Sequence, residues 1–104
     1  VKALEWSASA MEDREAIFLH IALDNIDAAI ELDQLVASKA KLLASYPEAG
    51  RIGRAPGARE LVAHRHYLLV YDLAPDRVRI LNVVHTSQRW PPIRANKTPK
   101  RRGR

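Results

Sequence analysis

The spacing of apolar residues changes character once along the chain. Up to Tyr46 they recur every three or four positions, and from Arg59 to His85 they fall in short dense runs. Val1 to Trp6 reads as a short strand. Ser9 with Glu12 three residues later predicts a capping box, and Glu12, Asp13 and Glu15 would then lie at the positive end of a helix dipole. Ala10, Ile17, Phe18, Ile21 and Ala22 share one stripe, so the helix should run to about Leu23. Asp24-Asn25-Ile26-Asp27 interrupts it, and Asp27 is the expected cap of a second helix. Its apolar face would hold Ala28, Leu32, Leu35, Val36, Leu42, Leu43 and Tyr46, until Pro47 stops it. The product is a helical hairpin with one apolar side.

Pro47 to Gly57 carries two prolines and three glycines and is expected to be a loop. Three extended segments follow at hairpin spacing: Arg59–Ala63, His66–Leu73 and Arg77–His85, with Ala74-Pro75-Asp76 as a turn. Simple alternation along the last strand places Val78, Ile80, Asn82 and Val84 on one face. Arg77, Arg79, Leu81, Val83 and His85 fall on the other. The expected fold is therefore α+β. An N-terminal strand, an antiparallel helical hairpin and a three-stranded antiparallel meander form one sheet, with helices on one face and an open charged face. Residues 1–92 form a single domain, and 93–104, with six basic residues and little to bury, a disordered basic tail.

Composition narrows the function. A chain of 104 residues makes one domain. Without cysteine there are no disulfides and no thiolate metal sites. The longest apolar stretch, Tyr67 to Tyr71, is far short of the roughly 20 residues a membrane helix needs. With no secretory signal pattern, the expected location is the cytoplasm. Charge is sharply divided. Through Ala49 there are four basic residues against nine acids; from Gly50 on there are 13 against three, a swing from −5 to +10. A polyanion, or an acidic protein partner, is the implied counterpart.

The candidate chemistry lies in that second half. Arg51, Arg54, Arg59, Arg65, Arg79 and Arg89 are planar forks that match phosphate oxygens in pairs. His64 and His66 form an H-x-H pair, but no third ligand accompanies them, so no metal and no other cofactor is expected. His85 could move a proton in phosphodiester cleavage or equally bond a backbone group at a strand end. Trp90 could stack on a base or pack as a lid over the last strand. Glu60 is either a base or an ordinary surface residue, and His20 is a structural or surface one.

Taken in order, these pieces resemble the RelE/ParE superfamily of bacterial type II toxins. The similarity covers roughly residues 4–92: a strand ending in W-S, two helices broken by D-N-I-D-A-A, then Y-P-E-A-G-R-I-G-R. It continues through P-G-A-R-E-L-V, Y-L-L-V-Y and I-L-N-V-V-H-T-S-Q-R-W-P. The resemblance implies a toxin neutralised by a cognate antitoxin, meeting promoter DNA only through that complex and not a membrane. One branch of the superfamily cuts mRNA on the ribosome; the other poisons DNA gyrase. For the first, an mRNA endonuclease, Arg59, Arg79 and His85 match catalytic positions. Arg51, Arg54, His64, Arg65, His66, Gln88 and Arg89 would hold the RNA. Some members of the cutting branch carry a tyrosine near the C-terminus, and here none follows Tyr71. Gyrase inhibition, and a non-toxic nucleic-acid-binding domain, are the alternatives. The nuclease reading requires Arg59, Arg79 and His85 to project from the uncovered sheet face into one hollow.

Overall fold

The computed structural model describes residues 1–91; the expected disorder of 93–104 lies outside the described residues. In chain order the elements are β1 (Ala3–Trp6), α1 (Ala8–Ala22), α2 (Ile26–Ser45), β2 (Arg51–Ile52), β3 (Arg59–His64), β4 (Tyr67–Leu73) and β5 (Arg77–His85). The sheet runs β1-β5-β4-β3-β2. All neighbours are antiparallel except β1, which lies parallel to β5. The α+β class and the β3–β5 meander are as expected. The two-residue β2 lies inside the segment read as loop, too short and too glycine-flanked to announce itself. Among the described residues no helix is long and apolar enough to cross a membrane.

Both helix starts differ from the expected ones. Ser7, not Ser9, caps α1: its Oγ accepts the Ala10 N–H at 3.0 Å and donates to the Leu81 carbonyl at 2.8 Å. The Ser7 N–H is already bonded to the Ile80 carbonyl, so β1 passes directly into the cap and the helix begins two residues early. Asn25 caps α2 in the same way, and Asp27 sits in its first turn. With α1 starting at Ala8, its acids no longer occupy the first turn. Asp13 instead accepts from the Val83 N–H at 2.9 Å and from Asn82 Nδ2 at 3.1 Å. β1 ends level with Ile80, so the rest of β5 would present an unpaired edge; α1 covers it through this carboxylate.

The main core lies between the helices and one sheet face. Ala10, Leu32, Val36, Ala40 and Leu43 pack on Leu69, Tyr71, Val78, Ile80 and Val83. Leu42 and Tyr46, expected on that face, instead point outward and line a groove of about 670 Å³ with Leu73 and Pro47. The buried positions 29, 32, 36, 40 and 43 already follow the helical repeat, which carries 42 and 46 off to the side. Arg14 fastens α1 to α2 by a two-pronged pair with Asp33 (3.0 and 2.9 Å) and lies 4.5 Å above the Trp6 ring.

The other sheet face is not fully open. Ala58, Val70 and Val84 form a second small core there, roofed by Ala55, Leu81 and Trp90. Beside it the Gly50–Gly57 segment is held by one carboxylate. Glu60, only 2% exposed, accepts from the Arg54 amide at 3.0 Å and from the guanidiniums of Arg54 and Arg51 at 3.1–3.2 Å. Glu60 is therefore neither a surface residue nor an available base. Burial alone would push its carboxyl up. The Arg54 amide and the two guanidiniums outweigh that and hold it below its ordinary 4.5. At the loop's start a Cβ on Gly50 would come within 2.7 Å of both the Glu60 carbonyl and the Tyr71 hydroxyl. Only glycine fits there.

Two outcomes follow. Asp13→Ala strands the Val83 N–H and should cost about 2 kcal/mol of unfolding free energy in urea; a change under about 0.5 kcal/mol would show that α1 does not hold the β5 edge through it. The depressed Glu60 contributes stability above its unfolded pKa and loses it as pH falls through the lower folded value. Glu60→Gln should therefore lower Tm at pH 7 and lose less than the wild type between pH 5 and 3. Parallel Tm–pH curves would contradict the clamp.

Candidate functional site

The three residues expected to share a hollow are held apart. Arg79 lies on the open face, where its guanidinium makes a two-pronged pair with Asp72, opposite it on β4. Asp72 raises the Arg79 pKa and keeps the charge engaged. Arg59 pairs across the ladder with Tyr71, a residue of the helix-side core. It donates to the carbonyls of Gly50 (3.2 Å) and Glu48 (3.3 Å), while the Tyr71 hydroxyl donates to the Pro47 carbonyl and accepts from the Gly50 N–H. Arg59 thus fastens the segment that leaves α2. His85 pairs with Tyr67 at the far end of β4, four residues from Tyr71, or roughly 13 Å along the strand.

One extra residue causes the divergence. In the β4–β5 ladder Tyr71 faces Ile80 but Val70 faces Asn82, which leaves Leu81 unmatched. This bulge reverses the alternation of β5. Val78, Ile80 and then Val83 face the helices, whereas Val84 turns to the second core, the opposite of what strict alternation predicts for the last pair. His85 moves with Val83. It lines a hollow of about 250 Å³ against α1, with Asp13, Ala16, His20, Tyr67 and Gln88 among its walls.

A second bulge, in β3 between Val62 and His64, sets His64 opposite Tyr67. The two irregularities gather an aromatic group at one end of the sheet. His66 stacks on His85 (centroids 5.6 Å apart, 10° between planes), Tyr67 meets His85 edge-on at 5.1 Å, and His64 lies 5.6 Å from His66. His85 Nδ1 accepts the Ser87 N–H at 3.0 Å, which assigns the proton of its neutral ring to Nε2. His64 Nδ1 likewise accepts the His66 N–H at 3.2 Å. Slight desolvation, the Arg65 charge and the two neighbouring imidazoles hold His66 below its ordinary value. The group can transfer protons or stack on a planar ligand. Among the described residues no three His, Cys, Asp or Glu side chains are placed to share a metal ion.

The remaining candidates are dispersed. Arg51 and Arg54 clasp Glu60 with their outer edges exposed. Arg65 and Arg89 are exposed, and Gln88 accepts from the His85 N–H at 3.3 Å, closing the turn after β5. Trp90 is packed, as a lid. Tyr67 and Ser87 join the histidine group without having been singled out by sequence, and His20, expected to be structural or surface, lines the same hollow; only the cross-strand register would have found Tyr67.

Comparisons with known proteins fit this architecture. Residues 4–90 match the family described as ParE toxin of type II toxin-antitoxin system, parDE. The Y4kP protein of Sinorhizobium fredii is 36% identical over 93 residues, 88% of this chain and 96% of that protein. A structure of the chromosomal ParDE system from P. aeruginosa superposes with a TM-score of 0.72 at 25% identity, over 81% of this chain and 95% of that one. The fold is shared more distantly with the E. coli DinJ-YafQ toxin-antitoxin complex, at a TM-score of 0.55 and 13% identity over 83% and 93% of the two chains. A sheet of this order, backed by this helical hairpin and matched along nearly its whole length, places the chain in the ParE toxin family of type II toxin–antitoxin systems.

Proposed function

We propose that this toxin acts by binding DNA gyrase in its complex with DNA, and that a cognate antitoxin neutralises it. The observation that carries this reading is the separation of Arg59, Arg79 and His85. Cleavage of a phosphodiester needs a proton-transfer group and charge-stabilising donors within hydrogen-bond reach of one phosphate. Here Arg79 is engaged by Asp72 on one face, Arg59 holds backbone carbonyls at the end of α2, and His85 faces α1. A binding toxin needs no such convergence.

The histidine group supports a second reading, metal-independent mRNA cleavage on the ribosome. His85 Nε2, the Tyr67 phenol and His66 lie close enough to serve one reaction. In that reading Tyr67 supplies the phenol missing after Tyr71, and Arg65, Gln88 and Arg89 would orient the RNA.

Induction without antitoxin separates the two. Gyrase poisoning predicts double-strand breaks and an SOS response before translation falls, and inhibition of supercoiling by purified gyrase. His85→Ala should keep that toxicity within about threefold. New mRNA 5′ ends in a translating extract, abolished by His85→Ala, would reject the binding reading. Arg79→Ala breaks an exposed pair and should change stability by less than about 1 kcal/mol, leaving toxicity intact. A hundredfold loss would return Arg79 to the functional site.

A further inference from the structure

Most arginines of the described residues already have partners. Arg14 pairs with Asp33, Arg51 and Arg54 with Glu60, Arg77 with Glu5 and Asp76, and Arg79 with Asp72, while Arg59 holds two backbone carbonyls. Arg65 and Arg89 bond to no carboxylate or carbonyl among the described residues, and both are exposed. They sit at one end of the sheet. Arg65 lies in the turn between β3 and β4, near enough for its charge to bear on the His66 ring, and Arg89 follows Gln88 just past the turn after β5. The Thr86 N–H joins the two turns by donating to the His66 carbonyl at 2.8 Å. Two free cations thus flank the end of the sheet that carries the hollow against α1.

The walls of that hollow offer an acceptor, donors and rings. Asp13 uses Oδ2 on Asn82 and Val83, and its Oδ1 is unpartnered among the described residues and open to solvent. The proton on His85 Nε2 makes that nitrogen a donor. Gln88 keeps its amide NH2 available because Oε1 takes the His85 N–H. The Tyr67 and His85 rings, 5.1 Å apart and 82° to one another, make an aromatic corner. One acceptor beside two donors matches the edge of a nucleobase, where N–H groups alternate with bare nitrogen or oxygen. A volume of about 250 Å³ holds one such base and is small for a larger ligand.

We propose that this hollow binds a free purine nucleotide, with the base between α1 and the Tyr67–His85 corner and the phosphate toward Arg65 and Arg89. A purine is favoured over a pyrimidine because its larger face gains more from aromatic contact. A free nucleotide is favoured over a strand because Glu12, Glu15 and Asp24 are exposed on and just beyond α1. Further phosphates crossing that helix would meet their charge. The site cuts no bond, and it stands under either reading of the toxin's target.

The test is an NMR titration of the full-length protein with GMP in about 100 mM salt, following the ring protons of Tyr67 and His85. Both should shift to saturation. Ribose 5-phosphate, which lacks the base, should bind about tenfold more weakly than GMP, and UMP about threefold. Ala16→Leu fills the hollow and touches none of its hydrogen bonds, and Arg65→Gln with Arg89→Gln removes both cations. Each change should weaken GMP binding about tenfold and leave Tm unaltered. The absence of any shift at Tyr67 and His85 would overturn the proposal, as would either variant binding GMP like the wild type. Ribose 5-phosphate or UMP binding as tightly as GMP would overturn it too. A single-stranded RNA hexamer binding more than about tenfold tighter than GMP would make a strand the ligand and reject the free nucleotide. Because neither gyrase nor a ribosome is present, each of these failures leaves the target reading untouched.

Discussion

The unmatched Leu81 in β5 decides which side chains of this protein can meet. β5 joins the parallel and antiparallel parts of the sheet: β1 runs parallel along its first half and β4 antiparallel along its length. Up to Ile80 its alternation serves the helix-side core. The extra residue then reverses the pleat, so Val83 can still fill that core while Val84 seals a second one beneath Trp90. The bulge is secured on its exposed edge by α1: Ser7 donates to the Leu81 carbonyl, and Asp13 accepts from Asn82 and Val83. Neither the helix cap nor the bulge would be well placed without the other. Together they carry His85 away from Arg79 and set it beside Tyr67 and His66.

The arginines show how a charge pattern in sequence can mislead about a surface. Counted along the chain, the second half is strongly basic. In the fold, strands distant in sequence exchange partners: Arg77 reaches Glu5 on the parallel strand, Arg79 meets Asp72 across the hairpin, and Glu60 gathers Arg51 and Arg54. These pairs do different work. The exposed ones contribute little stability. The Glu60 clamp desolvates a carboxylate, and removing its two arginines would leave that charge buried and unpaired. It fixes the loop between α2 and β3, where Gly50 touches Tyr71 and Arg59 ties down the carbonyls of Glu48 and Gly50.

Much of the architecture was legible because it rests on periodicity. The hairpin, the three long strands and the Ala74-Pro75-Asp76 turn follow from apolar spacing and proline chemistry, and the family resemblance rests on the order of those pieces. The cap of α1 falls at Ser7 and not Ser9 because of one competing bond: the Ser7 amide belongs to the sheet, which pulls the helix start forward. The candidate site was less legible, since a bulge leaves no mark in the sequence. Counting back from the turn pairs Tyr67 with Val84 and puts His85 on the face of Arg79. The ladder pairs Tyr67 with His85 instead. Glu60 was equally hidden, because an acid next to an arginine in sequence points away from it, and its partners come from a loop six and nine residues back.

The position of His85 is the point on which the account turns, and nuclear Overhauser contacts from its ring protons read that position directly. With Leu81 bulged, cross-peaks should run from His85 to the rings of Tyr67 and His66 and to the side chain of Ala16. Cross-peaks to Leu81 and Trp90, with none to Tyr67, would mean that β5 alternates without interruption. His85 would then share a face with Arg79, and the case against a common cleavage site would fail.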